Sequence, residues 1–307
     1  MFWLRWSAGA SAAGGFSSAA HRFAGSGEVL PNSPIDLVES LRRGWFELWY
    51  QPKIDICSFA ISGVEALIRL RHPIWGIVPP AFFIPDHGDP DFQPLSEFVL
   101  TQALKDWRYF ASHHAAFDIA INLPMAFFHD AEATKKLCRH LPKHPRFERL
   151  IVEINGTELV RNINHLTEGA SLLRCHKVEI SIDDVGAEWP QLAGVRDLPI
   201  AELKVDRKFI TGCAKSPLKQ AICRQIVDLA NKLHVRTVAE GVETRADFSA
   251  VTEMGFHLVQ GFLFAEPMTV QKFARATSLG SFVPLANRAL SAHRTLTRRT
   301  RADVYRS

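Results

Sequence analysis

The stretch Val178-Glu179-Ile180-Ser181-Ile182-Asp183-Asp184-Val185-Gly186 places two adjacent carboxylates at the end of an apolar alternation. Val178, Ile180 and Ile182 recur at the period of a strand, and Gly186 permits a sharp turn. Neighbouring acids repel each other and resist burial unless a cation neutralises them. An isolated Asp-Asp pair reads more readily as a solvated loop after a strand. Here the pattern recurs. Apolar segments of strand length carry, at or near their ends, Gln51, Glu65, Asn122, Glu153, Asp183 with Asp184, Lys204, Glu240 and Gln260. Singly these have ordinary explanations: Asn122 as a turn residue, Lys204 as a surface lysine, Gln260 as a cap. Together their oxygens suit hard cations such as magnesium or manganese. An aspartate shared by two such ions would give a two-metal clamp for phosphoryl chemistry.

Residues of this kind must be brought together by the elements that carry them. Residues 34–43 have the pattern of a short amphipathic helix, with Ser33 as N-cap. Residues 46–55 and 61–70 have the pattern of strands. The few residues between them cannot make a parallel crossover, so this pair is expected to be antiparallel. Further strands are expected at 117–123, 150–154, 178–183, 202–205, 235–239 and 258–262. Helices are expected between them, at 95–113, 131–141, 165–175 and 218–233. This alternation predicts an α/β fold, a closed TIM-like (β/α)8 barrel. An open doubly wound sheet would want a Gly-rich phosphate turn after an early strand, and the sequence has none. In a barrel the C-terminal strand ends converge on one mouth, which would gather the polar residues above.

Bulk properties narrow the function classes. The chain has 307 residues, 47% of them hydrophobic, and a formal net charge of +4. From Leu279 onward there are six arginines and one aspartate, so the excess positive charge belongs to a tail. That argues against DNA or RNA binding by the barrel, while the tail suits an acidic partner or a membrane surface. Five scattered cysteines without a CxxC pair fit reduced thiols and a cytoplasmic location. His140 and His144 are separated by Pro142, which argues against one metal-binding helix face. No apolar run is long enough for a membrane-spanning helix. The expected organisation is an Ala/Gly/Ser-rich leader over 1–28, one barrel domain over 29–278 and a basic tail over 279–307. Trp3 and Trp6 in the leader offer a weak membrane contact.

With these residues in hand, the chain resembles the EAL-domain phosphodiesterases, which hydrolyse cyclic di-GMP to linear pGpG. The signature Glu65-Ala66-Leu67 stands in GVEALIRLRHP. Around it lie YQP at 50–52, PPAFFIP at 79–85, INLP at 121–124, VEI at 152–154, IDDVG at 182–186, LKVDRKFI at 203–210, VAEGVET at 238–244 and VQGFLFAEP at 259–267. The match runs in order from about residue 37 to residue 276. The resemblance implies a barrel whose first strand runs antiparallel, and two ions of Mg2+ or Mn2+. Glu65, Asn122, Glu153 and Asp183 would hold one ion, and Asp183 would bridge to a second beside Asp184. Lys204, Glu240 and Asp184 would act in catalysis, Lys204 and Glu240 by positioning or activating water. Arg69 would meet a substrate phosphate, with Gln51 and Gln260 at the edge of the substrate. Glu243 would support the loop after the Asp-Asp strand from below. Cyclic di-GMP and a second copy of the chain, as a homodimer, are the implied partners.

The sequence departs from the family pattern in three places. Where the family has Asp-Phe-Gly-Thr-Gly-Tyr-Ser-Ser, this chain has Asp184-Val185-Gly186-Ala187-Glu188-Trp189-Pro190-Gln191. Gly156 stands where the family places a glutamate that tethers this loop, with Glu158 close by. Asp86, His87 and Gly88 follow Pro85 in place of the family's Ala-Glu. The metal-ligand positions survive while the loop changes, so slow hydrolysis limited by that loop is expected. Two other classes stay open: a module that binds cyclic di-GMP without cleaving it, and a barrel that binds a protein partner.

Overall fold

Asp55 turns the chain between the first two strands. Its Oδ1 accepts from the backbone N–H groups of Cys57 (3.1 Å) and Ser58 (2.7 Å) and from the Ser58 hydroxyl (2.7 Å). Phe59 completes the turn with a left-handed φ of 57°. Asp side chains favour such tight reversals. Phe46–Asp55 (β1) and Ile61–His72 (β2) therefore pair antiparallel, with Gln51 opposite Glu65.

The computed structural model describes residues 35–84, 91–113, 117–129, 131–186 and 189–278. The expected leader, the basic tail, Ser33, the Asp86-His87-Gly88 departure, Ala187 and Glu188 lie outside the described residues. After β2 come the short Gly76–Val78 (β3), then Asp118–Asn122 (β4), Leu150–Asn155 (β5), Val178–Val185 (β6), Ile200–Val205 (β7), Arg236–Glu240 (β8) and Leu258–Gln260 (β9). From β2 through β4 to β9 each neighbour is parallel. β1 pairs antiparallel with both β2 and β9, which closes a barrel of eight strands. β3 and Met268–Thr269 (β10) extend the sheet at β2 and β1.

Leu37–Arg42 (α1), Phe92–Ser112 (α2), Ala131–His140 (α3), Gly156–Arg161 (α4), Ile163–Cys175 (α5), Arg207–Ile210 (α6), Pro217–Leu233 (α7), Arg245–Glu253 (α8) and Val270–Ser278 (α9) supply the helices. Strand alternation sends one set of side chains outward to the helices and the other to the axis. Val178, Ile180 and Ile182 belong to the buried apolar cluster, as do Leu150, Val152, Ile154, Leu203 and Val205. From α2 that cluster takes Leu95, Val99, Trp107 and Phe110. Tyr50 on β1 donates to Asp106 Oδ2 of α2 at 2.6 Å and fixes that helix to the barrel. The inward set is charged. Lys53, Glu65, Glu202 and Lys204 are wholly buried, and Glu153 nearly so. Most TIM barrels instead fill this space with branched aliphatic side chains.

Several expectations are corrected. The first helix begins at Leu37, and its cap is Asp36, whose Oδ1 accepts from Glu39 N at 2.8 Å. β2 continues to His72, so Glu65 lies inside the strand rather than at its end. The last barrel strand stops at Gln260, and the next residue, Gly261, lies so close to the Val242 backbone that a Cβ there would be 2.2 Å from Val242 O. Two helices, α4 and α5, lie between β5 and β6, where one over 165–175 was expected. β3 and β10 have too few residues to show a period.

Candidate active site

Glu65 sits at the centre of a net of amides. Its Oε1 accepts from Asn122 Nδ2 at 3.1 Å and its Oε2 from Gln260 Nε2 at 2.7 Å. Gln260 also donates to Gln51 Oε1 at 3.0 Å, and Gln51 donates to Ala265 O at 3.0 Å. The three strands β1, β2 and β9 are thus joined across the mouth by side chains whose positions follow from the Gln51–Glu65 and Glu240–Gln260 registers.

Lys204 draws the acids together. Its Nζ lies 3.0 Å from Glu240 Oε1, 3.4 Å from Glu65 Oε2 and 3.5 Å from Asp183 Oδ1, and it donates to Glu153 Oε2. Burial pushes the Glu153 carboxyl up to about 7, with repulsion from Glu65 adding to it and Lys204 and Lys53 opposing. Below this layer is a second one. Lys53 Nζ lies 2.6 Å from Glu202 Oε2 and 3.5 Å from Glu153 Oε1. Burial acts to raise the Glu202 carboxyl, yet Lys53 and Arg236 hold it below its ordinary range.

Asp183 and Asp184 stand on a bulge: the β6–β7 register shifts between Ile182 and Val185. Asp184 takes a left-handed φ of 55°, a conformation that Asp tolerates better than most residues. Its backbone N donates to Asp183 Oδ1 at 2.9 Å. Asn155 holds its side chain, donating Nδ2 to Asp184 Oδ2 at 3.2 Å, while Asn155 Oδ1 caps α4 through Thr157 N and Glu158 N. Asp183, Asp184 and Glu240 each offer an oxygen within 4.8 Å of the others. Gln260 Oε1 is buried and has no hydrogen-bond partner among the described residues. An all-oxygen donor set with an orphaned buried acceptor fits a hard divalent cation.

Arg69, nearly buried, donates to Ile68 O at 2.7 Å and lies 5.6 Å over the Trp49 ring. Burial pushes its guanidinium down to about 10 against the pull of Glu65 and Glu47, so it stays charged at neutral pH. It lines a cleft with Gln51, Asn122, Glu240 and Gln260. Glu243 lines the same cleft, and its recorded ion pair is with Arg207 at the start of α6, at 3.5 Å. That contact lies at the start of the segment after β7. Gly241 makes the approach possible: at φ +67°, a Cβ there would lie 2.7 Å from Arg207 Cβ.

The altered loop is anchored at both described ends. Val185 is wholly buried, and Trp189 N donates to Gly186 O at 3.1 Å. A 3-10 helix then runs over Trp189–Asp197, with Leu192 buried beneath it. Pro190 falls in its first turn, where a missing N–H removes no helix bond. Gly156 is the first residue of α4, and a Cβ there would meet Ile182 Cγ2 at 3.2 Å and Asp183 O at 3.3 Å. Glu158 accepts from Met125 N at 3.5 Å.

Sequence reasoning missed Lys53, Glu202, Asn155 and Arg207. Lys53 is two residues beyond Gln51 and Glu202 two before Lys204, so strand period alone put them on the inward face. No helix among the described residues is long and apolar enough to cross a membrane.

Comparison with known proteins agrees with this geometry. The cyclic di-GMP phosphodiesterase PA2567 of Pseudomonas aeruginosa is 35% identical over 226 residues, covering 73% of this chain and 38% of that protein. The bifunctional diguanylate cyclase/cyclic di-GMP phosphodiesterase MucR of the same organism is 34% identical over 240 residues, covering 77% and 35%. The chain thus spans little more than a third of the length of these relatives. A solved MucR phosphodiesterase in complex with cyclic di-GMP superposes with a TM-score of 0.68 at 32% identity, covering 78% of this chain and 98% of that one. Klebsiella pneumoniae BlrP1, solved as a manganese and cyclic di-GMP complex, gives 0.63 at 26% identity, covering 78% and 57%. The EAL domain description matches residues 36–267, a span that takes in every strand of the barrel and every candidate site residue, and the chain belongs to the EAL domain family.

Proposed function

We propose that this chain is a divalent-metal-dependent phosphodiesterase that hydrolyses cyclic di-GMP to linear pGpG. The observation that carries the reading is the convergence of Glu65, Glu153, Asp183 and Glu240 on one buried lysine, Lys204, at the barrel mouth. Glu65, Asn122, Glu153, Asp183 and Asp184 would hold Mg2+ or Mn2+. When bound, such ions offset the charge of a phosphodiester and make water a better nucleophile at neutral pH. Arg69 presents a guanidinium to the non-bridging phosphate oxygens. Gln51 and Gln260 brace the substrate edge of the cleft. Glu240 accepts the proton of the attacking water, and Lys204 holds Glu240 in place for it. Water oxygen bonds to phosphorus, the P–O3′ bond breaks, the leaving 3′ oxygen takes a proton from solvent, and Glu240 returns to solvent the proton it accepted.

A second reading, binding of cyclic di-GMP without cleavage, is favoured by Gly156 at the position of the tethering glutamate. One experiment separates the two. Purified protein is incubated with cyclic di-GMP and magnesium or manganese, and the nucleotides are resolved by chromatography. Metal-dependent appearance of pGpG supports the enzyme. Saturable binding with intact cyclic di-GMP after prolonged incubation supports the receptor instead.

A further inference from the structure

The barrel end opposite the carboxylate mouth holds a separate cleft of about 480 Å3. It opens where β5 to β8 begin, and Arg149, Arg174, Lys177, Glu179, His234 and Arg236 line it together with the apolar Leu198–Ala201 edge of β7. Four of these side chains are cations, facing the single carboxylate of Glu179. Arg149 is held by Asp118 at 2.8 Å and by Glu179 at 2.7 Å. Arg236 is held by Glu202 at 2.8 Å, by Asp118 at 3.4 Å and by Ser62 Oγ at 2.7 Å. Arg174 and Lys177 differ. They donate to the backbone oxygens of Asp197 and Phe147 respectively, and neither pairs with a carboxylate among the described residues.

The backbone supplies an independent observation. Lys177, after α5, and His234, after α7, both adopt φ +58°. At a left-handed helix end, glycine is free of strain and an L side chain is not. This chain uses glycine at the corresponding ends of α1 and α8, as Gly44 and Gly255. The two helix ends that border the cleft carry Lys and His instead. Strained backbone of this kind clusters at ligand sites.

We propose that this cleft is a binding site for a polyphosphate anion. Two cations without carboxylate partners match a ligand of at least two negative charges, and the fixed guanidiniums of Arg149 and Arg236 add oriented donors. The volume is in the range of small-molecule sites, and the apolar edge of β7 leaves space for an organic group on the phosphate.

Isothermal titration of the full-length chain with ATP and with inorganic pyrophosphate, in chelator and without divalent ions, tests the site. Saturable binding is expected, weakened at least about tenfold in Arg174→Ala and in Lys177→Gly. Lys177→Gly is expected to melt no lower than the parent, since it relieves the left-handed backbone, so its loss of affinity is not a loss of fold. Equal affinity for the two probes assigns the site to the inorganic anion, and tighter ATP binding assigns it to an organic polyphosphate. Arg69→Ala, at the opposite end of the barrel, is expected to leave affinity unchanged. No saturable binding, unchanged affinity in both cleft variants, or loss of binding in Arg69→Ala overturns the proposal.

Discussion

Lys53 and Glu202 form an ion pair at 2.6 Å on the barrel axis, with both side chains fully removed from solvent. Removing Lys53 leaves the buried Glu202 carboxylate with Arg236, at 2.8 Å, as its remaining ion-pair partner, whereas removing both members takes two opposite buried charges away together. Lys53→Met is expected to destabilise the protein by about 3 kcal/mol or more. Combining it with Glu202→Leu should recover at least half of that loss. Urea unfolding of the two single variants and the double variant measures both quantities. A loss under about 1 kcal/mol in Lys53→Met would show that the inner charges are not coupled in this way.

Glu153 gives the chain a pH signature. Its carboxyl is raised from 4.5 to about 7 in the folded protein. Between those values the folded state binds more protons than the unfolded one, so stability falls as pH rises through this window and levels off above it. In chelator, the melting temperature should fall between pH 5 and pH 7.5 by more in the parent than in Glu153→Gln. Parallel curves for the two proteins would remove Glu153 as the source.

Glu65→Gln keeps the shape of the side chain and discards its charge. Hydrolysis of cyclic di-GMP should fall by about a hundredfold or more and manganese affinity by about tenfold or more. Circular dichroism should stay unchanged. Full turnover in this variant contradicts a ligand role for Glu65, whatever its stability.

Asn155 performs two tasks that substitutions can separate. Asn155→Ser retains a capping oxygen for α4 but loses the donor to Asp184. Asn155→Ala loses both and should cost about 1 kcal/mol from the cap alone. Turnover should drop similarly in the two variants, while the melting temperature drops mainly in Asn155→Ala. Loss of activity in proportion to stability would make Asn155 a structural cap and no more.

Gly156→Ala is a stringent test of packing beneath the acid pair. By propensity, alanine in a helix is favoured over glycine by about 1 kcal/mol. The contacts at 3.2 Å to Ile182 and 3.3 Å to Asp183 O oppose that gain. No increase in melting temperature is expected. Gly156→Glu should press on the backbone that carries Asp183, so restoring the family's glutamate alone should not raise turnover. An increase in turnover from Gly156→Glu by itself would show that the contact yields easily.

The barrel was legible because its strands are long enough to show a period and its polar residues stand out against them. The antiparallel start followed from the short link between β1 and β2, which the turn built on Asp55 closes. The site was legible as a set of residue types, but its internal wiring was not. Nothing in the spacing of Glu202 says that it meets Lys53, which lies 149 residues earlier. Asn155 caps α4, and its second hydrogen bond reaches Asp184, which stands on the bulge of β6. The loop after Asp184 was expected to limit turnover, and its described residues show only that Trp189 N donates to Gly186 O and that Pro190 falls in the first turn of a 3-10 helix.

Lys204 has a bearing on how the protein is made in a cell. Many small metal-dependent domains cannot fold until the ion arrives, because ion binding supplies their folding free energy. This chain carries its own ammonium, the Lys204 side chain, among Glu65, Glu153, Asp183 and Glu240. Synthesis and folding can then be completed before any metal is acquired. On the proposed function, shortage of the ion lowers activity without sending the polypeptide to degradation, so the pool of folded protein and the pool of competent protein can be set separately.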